Sequence, residues 1–272
     1  MSIILDSYKK KLLNAGIKNA NNEINWFLEK KFSFSKEDII LKNISLNHKQ
    51  IEIFTDFINR RIQKEPFQYI LNFAPFCNVD IYVNSHVLIP RPETETIINV
   101  LVKQNKKFIS ALDLCCGSGN LAIMLSLKNI AKKITAIDIS DNALKVSRKN
   151  FKNFKIKNID CCQLDFLNQK INKKFDLIVC NPPYISNEEY KKLNHQIKNH
   201  EPLNALTDKK DGLSFYKKIH QEIKNIINPN GTILLEIGLE KNKQMIEKIF
   251  ANEKFKWHKD LNNNYRIIQI FK

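Results

Sequence analysis

An asparagine, two prolines and a tyrosine directly follow a strand-like apolar run in this sequence. The run covers residues 175–180, and Asn181-Pro182-Pro183-Tyr184 comes next. Neither proline has a backbone N–H, and Pro182 disfavours a helical conformation of Asn181, so the strand must end here. We therefore expect a rigid loop that presents an amide and an aromatic ring at the carboxyl edge of a sheet, where α/β folds place their chemistry. A simple turn is the alternative interpretation.

A second candidate is the segment 113–120, which reads Asp-Leu-Cys-Cys-Gly-Ser-Gly-Asn and joins a predicted strand to a predicted helix. Glycine allows a tight turn and a close approach of the backbone to a ligand. Many nucleotide-binding folds share such a turn, so the glycines alone identify no ligand. The segment lacks the Lys-Ser/Thr pair of a phosphate-binding loop. The candidate cofactor-binding residues here are Asp113, Cys115, Cys116, Gly117, Ser118 and Gly119.

Acidic residues mark the ends of the next two predicted strands. Asp138 stands where a carboxylate would bind a ribose diol, and Asp165 with Phe166 would hold and stack on an adenine. An acidic rim suits a cofactor that carries a ribose and a positive charge, such as S-adenosylmethionine, better than a pyrophosphate. Each residue also has a structural alternative. Asp138 would be a favourable charge at a helix N-terminus, and the pair would be a turn with a core aromatic.

The segment 88–95, Leu-Ile-Pro-Arg-Pro-Glu-Thr-Glu, is a candidate for a substrate contact. Two prolines restrict the chain around Arg91, and Pro92 can occupy the first turn of a helix. The acidic residues that follow would favour the positive N-terminal end of that helix. By these features alone, a rigid, capped start of a domain is the favoured interpretation. In the functional alternative, the two prolines hold Arg91 beside the site.

The hydrophobic pattern indicates which elements position these residues. Helical periodicity alone predicts a small helical domain over 1–65. Apolar residues then alternate over 67–83 around a turn at Cys77-Asn78, which predicts a β-hairpin linker within 66–88. An α/β domain over 89–272 completes the predicted division.

From residue 108 onward, strand-like and helix-like runs alternate, which implies an α/β fold with a doubly wound, mainly parallel sheet. The predicted strands are 108–114, 134–139, 159–164, 175–180, 232–237 and 265–271. The predicted helices are 120–127, one from Asp141 with Ser140 as its N-cap, 212–227 and 240–250. The candidate cofactor residues and the asparagine loop then follow the ends of four strands.

Composition narrows the class of protein further. With 43% hydrophobic residues among 272, the chain has enough apolar side chains for a folded core. Its formal charge of +16 leaves a polyanionic partner open, but lysines are scattered throughout, which favours a solvated surface. None of the cysteines forms a Cys-x-x-Cys pair, so we expect no metal site. Polar residues interrupt the apolar stretch 108–127, and we expect a soluble, cytoplasmic protein without a membrane segment.

Together, residues 113–120, Asp138, Asp165 and 181–184 resemble the class I S-adenosylmethionine-dependent methyltransferases. The Asn-Pro-Pro-Tyr loop is similar to that of enzymes that methylate planar nitrogens of adenine, cytosine or glutamine. Four stretches resemble the release factor glutamine methyltransferases, namely 60–66, 88–95, 181–185 and 201–206. The resemblance implies a seven-stranded Rossmann-like sheet in 89–272 and a small N-terminal helical domain for substrate recognition. It also implies S-adenosylmethionine as cofactor and peptide chain release factors as protein substrates.

The resemblance further implies roles for individual residues. The Asn181 side-chain oxygen and the Pro182 carbonyl would each accept a proton of the acceptor amide, and Tyr184 would pack on its plane. These three are the expected catalytic residues, and Asn181 would also border the cofactor. Pro183 and Arg91 would complete the substrate contacts. The acceptor would be the glutamine of a Gly-Gly-Gln motif.

One departure concerns the cofactor loop, in which the family usually has three alternate glycines. This chain has Cys115 and Cys116 at the first two positions, and a Cβ at Cys115 would narrow the methionine pocket. We expect cofactor binding to survive in weakened form. Two alternative functions stay open: an N6-adenine DNA methyltransferase that uses the same loop, and a catalytically inactive RNA- or ribosome-binding module. We expect a monomer, and a weak nucleic-acid contact through the basic surface stays open.

Overall fold

The computed structural model describes residues 2–41, 43–238 and 242–272 of the chain. The chain divides into two compact units, Met1–Phe73 and Ala74–Lys272. The first unit ends later than the predicted helical domain because one further short helix belongs to it. Within the described ranges, no helix is both long enough and apolar enough to cross a membrane.

Helices build the first unit around a cluster of phenylalanine rings. They are α1 Ser2–Asn14, α2 Ala20–Phe32, α3 Lys36–Ile40, α4 His48–Ile62 and α5 Phe67–Leu71. Asn47 begins α4 with a capping box, in which it and Gln50 each accept the backbone N–H of the other. Phe27 and Phe57 stack with their ring centroids 4.2 Å apart, and Phe54 packs edge-on against Phe27. These rings are core residues of the unit.

Helix α5 corrects one prediction, because the alternating pattern over residues 67–71 was taken as a strand. Phe67 and Ile70 both pack in the core of the first unit, and residues three apart share one face of a helix. Over so few positions the same apolar residues also fit an alternation. Pro66 precedes the helix, and Asn72 ends it with a left-handed φ of 60°.

A two-stranded hairpin follows α5, as predicted. Strand β1 Phe73–Phe76 pairs with β2 Val79–Tyr82. Cys77 and Asn78 form the turn with φ of 47° and 67°, and a two-residue turn of type I′ requires positive φ at both positions. The Cys77 N–H donates to Glu95 Oε1 at 2.9 Å, which ties the turn to the start of the next helix.

A seven-stranded sheet forms the centre of the second unit, in the order β5-β4-β3-β6-β7-β9-β8. Its strands are β3 Phe108–Leu114, β4 Ala131–Asp138, β5 Ile159–Gln163, β6 Phe175–Cys180, β7 Ile227–Glu236, β8 Lys254–Lys259 and β9 Tyr265–Phe271. Strands β3 to β7 are parallel to one another, whereas β9 is antiparallel to both β7 and β8. This confirms the predicted doubly wound, mainly parallel sheet.

Helices and one 3-10 turn connect and flank these strands. They are the 3-10 turn Pro92–Thr94, α6 Glu95–Gln104, α7 Asn120–Leu127, α8 Asp141–Asn153, α9 Asn187–Lys191, α10 His195–His200, α11 Leu203–Leu206, α12 Ser214–Ile226 and α13 Lys243–Ile249. Ser140 caps α8 by accepting the Ala143 N–H at 3.2 Å, as predicted. The predicted helix 240–250 begins outside the described residues, and α13 lies within it.

Two strands differ from the prediction for identifiable reasons. The run Lys254–Lys259 was not predicted as a strand, although its Phe255 and Trp257 alternate with lysines as in a half-buried edge strand. Strand β7 begins earlier than the predicted start at residue 232. Pro229 lies in this added part, at an irregularity in the pairing of β6 with β7 where its missing N–H is not needed.

The strand register places the ends of four strands side by side. Leu114 of β3 lies opposite Ile137 of β4 and Cys180 of β6, and Ile137 lies opposite Cys162 of β5. The loops that follow these strands therefore begin at one edge, the carboxyl edge at which open α/β sheets bind ligands. The residues carried there are the segment 113–120, Asp138, Asp165 and Asn181.

Candidate cofactor and substrate site

A cavity of about 620 Å³ opens at this edge of the sheet. The predicted site residues that line it are Asp113, Cys115, Cys116, Gly117, Ser118, Asp138, Asp165, Phe166, Asn181, Pro183 and Arg91. Three further predicted residues, Gly119, Pro182 and Tyr184, do not line it. The remaining wall includes parts of the segments 86–94 and 202–209, so one cavity brings together the strand-end loops and the proline-rich segment.

The two glycines of the 113–120 segment have different surroundings. Gly117 has a φ of 53°, and a Cβ built on it would meet no atom within 4 Å. A Cβ on Gly119 would lie 2.6 Å from the Phe151 ring of α8. Gly117 therefore leaves space beside the backbone for a ligand, whereas Gly119 allows the turn to pack against α8.

Asp113 supplies an unpaired acceptor to the cavity. Its side chain is almost wholly buried, and its Oδ2 accepts the Ala122 N–H at 2.9 Å. Its Oδ1 is buried with no hydrogen-bond partner among the described residues. Burial raises the pKa of Asp113 to about 7. A buried carboxylate oxygen without a partner is costly unless a ligand donates to it, so this position suits a ligand with an ammonium or another cationic group.

Asp138 holds the turn of the cofactor loop. Its Oδ2 accepts the Gly117 N–H and its Oδ1 accepts the Ser140 N–H, each at 2.9 Å. Burial raises its pKa, and these backbone hydrogen bonds act in the opposite direction. Each carboxylate oxygen can accept a second hydrogen bond, so the group keeps capacity for a diol. The buried Asp113 and the half-buried Asp138 beside one cavity fit the positive charge and the ribose of S-adenosylmethionine.

Asp165 and Phe166 have structural contacts in a turn and in the core, and both also lie beside the cavity. Asp165 shapes a turn, because its Oδ1 accepts the Leu167 N–H at 3.1 Å and its Oδ2 accepts from the Asn168 side chain at 2.7 Å. Phe166 is buried and stacks on Phe215 with ring centroids 6.5 Å apart. Both Asp165 and Phe166 also line the cavity, where they border the space available for a base.

Cys115 and Cys116 present neutral thiols to the site. Cys115 adopts a φ of 63°, a left-handed conformation that favours glycine. The neighbouring Cys180 thiol, together with burial, raises the pKa of Cys115 well above its ordinary value. Burial does the same for the pKa of Cys116. The Cys115 side chain therefore occupies cavity wall without adding charge, at some strain in its backbone.

The Asn181 amide has a fixed orientation. Its Nδ2 donates to the Thr94 Oγ1 at 3.1 Å, and Thr94 is buried at the end of the 3-10 turn. No hydrogen bond from another described residue reaches Asn181 Oδ1. Because Asn181 lines the cavity, this oxygen is the amide atom left to accept a hydrogen bond from a ligand.

Tyr184 is held behind the asparagine loop rather than in the cavity wall. Its ring packs so closely on Gly238 that a Cβ there would lie 2.6 Å from it. Its hydroxyl donates to Glu236 Oε1 at 3.4 Å, and burial raises its pKa well above the ordinary value. A Cβ on Gly212 would lie 2.2 Å from the Tyr184 carbonyl oxygen. Two glycines thus make room for this tyrosine and fix the end of the loop.

Arg91 lies in the cavity wall beside a buried carboxylate. Its Nη2 donates to Glu201 Oε1, and the Glu201 side chain is almost wholly buried. Sequence reasoning did not assign Glu201, Thr94 or Glu236 to the site. Thr94 and Glu201 lie in stretches that carried the family resemblance, so a signal for them was present; Glu236 had none beyond its position at a strand end.

Each of the two units contains a match to the profile of a known family. The profile for the PrmC N-terminal domain matches residues 4–71, and the profile for the methyltransferase small domain matches residues 92–209. A crystal structure of a methyltransferase from Pyrococcus furiosus is similar with a TM-score of 0.53 at 19% identity, over 83% of this chain and 98% of that one. At this identity the likeness supports the fold alone.

Curated relatives are closer in sequence. The release factor glutamine methyltransferase of Thermodesulfovibrio yellowstonii is 37% identical over 207 residues, which cover 75% of this chain and 74% of that protein. The enzyme of that name from Bacillus subtilis is 37% identical over 214 residues, again 75% and 74%. A bifunctional methyltransferase of Rickettsia prowazekii is 33% identical over 98% of this chain, which spans only 56% of that relative.

Proposed function

This chain belongs to the release factor glutamine methyltransferase family, and on that premise we propose that it methylates peptide chain release factors. The methyl group passes from S-adenosylmethionine to the side-chain amide nitrogen of the glutamine in their Gly-Gly-Gln motif. The observation that carries the proposal is the orientation of Asn181. Its Nδ2 donates a hydrogen bond to Thr94, and its Oδ1 is open in the cavity that Asp113 and Asp138 also line.

The chemistry of the acceptor explains why such an asparagine is useful. An amide nitrogen is a poor nucleophile because its lone pair is delocalised into the carbonyl. Two hydrogen-bond acceptors, one for each N–H of the amide, hold the nitrogen in one orientation. They also favour the positive charge that develops on the nitrogen during transfer. Asn181 Oδ1, which borders the cavity, is one acceptor. The second is assigned, by the family resemblance, to the backbone carbonyl of Pro182, a residue outside the cavity wall. One proton leaves the nitrogen for solvent once the new N–C bond has formed.

We assign the cofactor site to the carboxylates at the ends of β3 and β4, Asp113 and Asp138. S-adenosylmethionine supplies an electrophilic methyl group on a sulfonium when it is bound. Asp113 would accept a hydrogen bond from its ammonium group, Asp138 would bind the ribose diol, and Asp165 with Phe166 would border the adenine. Gly117 provides room for close approach of the backbone, while Cys115 narrows the space beside it.

The asparagine loop also acts through its rigidity. Pro182 and Pro183 restrict Asn181 and its neighbours, and Tyr184 anchors the loop against Gly238 and Glu236. Tyr184 is therefore assigned to positioning of the loop. Arg91 lies in the cavity wall, and we assign it to binding of the release factor.

Release factors are the proposed partner, and the cytoplasm, where they act, is the proposed location. The helical unit Met1–Phe73 is assigned to recognition of the release factor, and residues 89–272 to catalysis. Nucleic acid is a secondary partner at most, through the basic surface. The DNA methyltransferase alternative is not favoured, because several relatives that match over most of this chain are named for release factors or as bifunctional methyltransferases.

A direct test is transfer of a labelled methyl group from S-adenosylmethionine to a purified release factor. Label should enter the wild-type factor and be absent from a factor whose Gly-Gly-Gln glutamine is replaced by alanine. Adenine-containing DNA should remain unlabelled. Label in DNA, or cofactor binding by calorimetry without label in the release factor, would exclude the proposed reaction.

A further inference from the structure

Asn150 of α8 joins two segments that are distant in sequence. Its side chain is fully buried and lies outside the cavity wall. Its Nδ2 donates to the Ser118 carbonyl and to the Tyr82 carbonyl, each at 2.9 Å. Its Oδ1 accepts the Tyr82 N–H at 2.8 Å. A side-chain amide offers two N–H donors and one acceptor oxygen, so both donors and the oxygen of Asn150 are engaged.

The first of the two segments is the cofactor loop. Ser118 is buried and lines the cavity, and its carbonyl is the group that Asn150 holds. From the other side, Asp138 Oδ2 accepts the Gly117 N–H at 2.9 Å. A Cβ on Gly119 would lie 2.6 Å from a side chain of α8, so the turn also packs closely on this helix. Asn150 therefore fixes one of the two sides of the loop.

The second segment leads to the opposite wall of the cavity. Tyr82 ends β2, and the chain continues into the segment 86–94, whose Arg91 lines the cavity. The hairpin has only two strands, so one edge of β2 lacks a strand neighbour. Asn150 takes that place at Tyr82 by satisfying both of its backbone polar groups. Lys149 adds a second contact from α8, since its Nζ lies 3.4 Å from the centroid of the Tyr82 ring.

We propose that Asn150 is a positioning residue that holds the cofactor loop and the start of the substrate wall in one arrangement. Because Ser118 and Tyr82 share one side chain, a cofactor that restrains the loop should also restrain the end of β2. The effect of Asn150 on the release factor rests on the proposed function, whereas its effect on the cofactor does not. Asn150 lies outside the cavity wall, so it should act on binding of both substrates rather than on methyl transfer itself.

Amide hydrogen exchange of the wild-type chain tests the connection with S-adenosylhomocysteine as the probe. The matched control is the Ser110 N–H, which also donates to a side chain, Asp176 Oδ2 at 2.8 Å, but lies near the start of β3. Saturating probe should slow exchange of the Tyr82 N–H at least about fivefold more than that of Ser110, the lower end of ordinary coupling between sites. Equal slowing at both amides would indicate global stabilisation and would overturn the proposal.

Asn150→Ala tests the same connection through binding and kinetics. The Kd for S-adenosylmethionine and the KM for the release factor should each rise about three- to tenfold, the scale of one ordinary hydrogen bond. The kcat should stay within about twofold of wild type, as expected when binding is lost equally from the ground state and the transition state. The additional slowing at Tyr82 should disappear in this variant.

Asn158→Ala is the matched control variant. Asn158 accepts from Ser126 Oγ at 2.7 Å and donates to the Lys132 carbonyl at 3.1 Å, at the start of β4 and therefore away from the cavity edge. This variant should be less stable than wild type but should keep the wild-type Kd, KM and exchange behaviour. An equal rise of Kd and KM in Asn158→Ala would indicate general loosening of the fold and would overturn the role of Asn150.

The remaining outcomes separate this proposal from the proposed function. Loss of stability in Asn150→Ala with unchanged Kd and KM overturns the positioning role. A rise of only one of the two constants shows that Asn150 holds only one wall, and this also overturns the proposal. If Asn150→Ala does not fold, the exchange comparison in the wild type decides. If the wild type binds S-adenosylhomocysteine but methylates no release factor, the proposed function fails, and the exchange comparison still tests Asn150.

Discussion

Arg91 Nη2 lies 2.5 Å from Oε1 of Glu201, a side chain that is only 2% exposed whereas that of Arg91 is 32% exposed. The second oxygen of Glu201 faces the Ile89 N–H at 3.5 Å. One buried carboxylate thus holds both the backbone and the arginine of the 88–95 segment. That segment also supplies Thr94, so the same contact supports the group that orients Asn181.

Glu201→Gln should therefore weaken both stability and substrate binding. Loss of the charged partner should lower the free energy of unfolding by about 1.5–3 kcal/mol, the range for hydrogen bonds to charged groups. Arg91 would also lose its fixed direction in the cavity wall, which should raise the KM for the release factor. Denaturant unfolding and steady-state kinetics measure the two effects.

The matched control for this ion pair is Lys217→Met. It breaks a pair with Asp211 in which both side chains are 50% exposed, and such a pair should change stability by less than about 0.5 kcal/mol. If Glu201→Gln were no more disruptive than Lys217→Met, the buried pair would not be what holds the segment.

Asn181→Ala should abolish methyl transfer while the chain stays folded. Catalysis here depends on orientation of a neutral amide rather than on a strong base, so removal of the acceptor should lower kcat by at least about 10²-fold. Thermal unfolding and calorimetric titration with S-adenosylmethionine should give values close to wild type. Asn199→Ala, an exposed asparagine on α10, is the control and should leave turnover unchanged. Near-normal turnover of Asn181→Ala would contradict the mechanism.

Cys115→Gly should stabilise the chain and tighten cofactor binding. Cys115 adopts a φ of 63°, and relief of a left-handed conformation in a residue with a Cβ is worth about 1 kcal/mol before the loss of thiol packing is subtracted. The substitution also widens the cavity wall that Cys115 lines. Calorimetry should show a lower Kd for S-adenosylmethionine than in the wild type.

The neighbouring substitution Cys116→Gly provides a control of opposite sign. Cys116 is buried and does not have a positive φ, so glycine there loses packing and gains no relief of strain. It should lower the free energy of unfolding by about 1 kcal/mol or more. Destabilisation of both variants to the same extent would show that the Cys115 conformation carries no strain.

Local chemistry explains which parts of the fold and site could be predicted. The bounds of β3 and β6 agree with the sequence because Gly117 and Pro182 lie within three residues of their ends, and such residues end strands without help from the rest of the fold. Strand β8 was missed because its lysines reduce the apolar signal of an edge strand. The Thr94–Asn181 hydrogen bond joins residues 87 positions apart, and no periodicity encodes it. Glu236 likewise reaches the site only through the pairing of β6 with β7.

The last prediction concerns the pH dependence of cofactor binding. Burial raises the pKa of Asp113 to about 7, so the folded chain holds a proton that the unfolded chain has released. The stability that this group contributes is therefore fully present below about pH 4 and is lost as the pH rises to about 7. Binding has the opposite trend, because a cationic ligand favours the ionised carboxylate. The Kd for S-adenosylmethionine should fall between about pH 6 and pH 8.

Asp113→Asn should bind the cofactor more weakly and remove this pH dependence, because an amide at this position cannot ionise. His86 also lines the cavity and carries an imidazole, so it offers a matched substitution in the same wall. His86→Gln therefore serves as the control and should keep the slope of Kd against pH. If the slope persisted in Asp113→Asn, Asp113 would not be the acceptor for the positive charge of the cofactor.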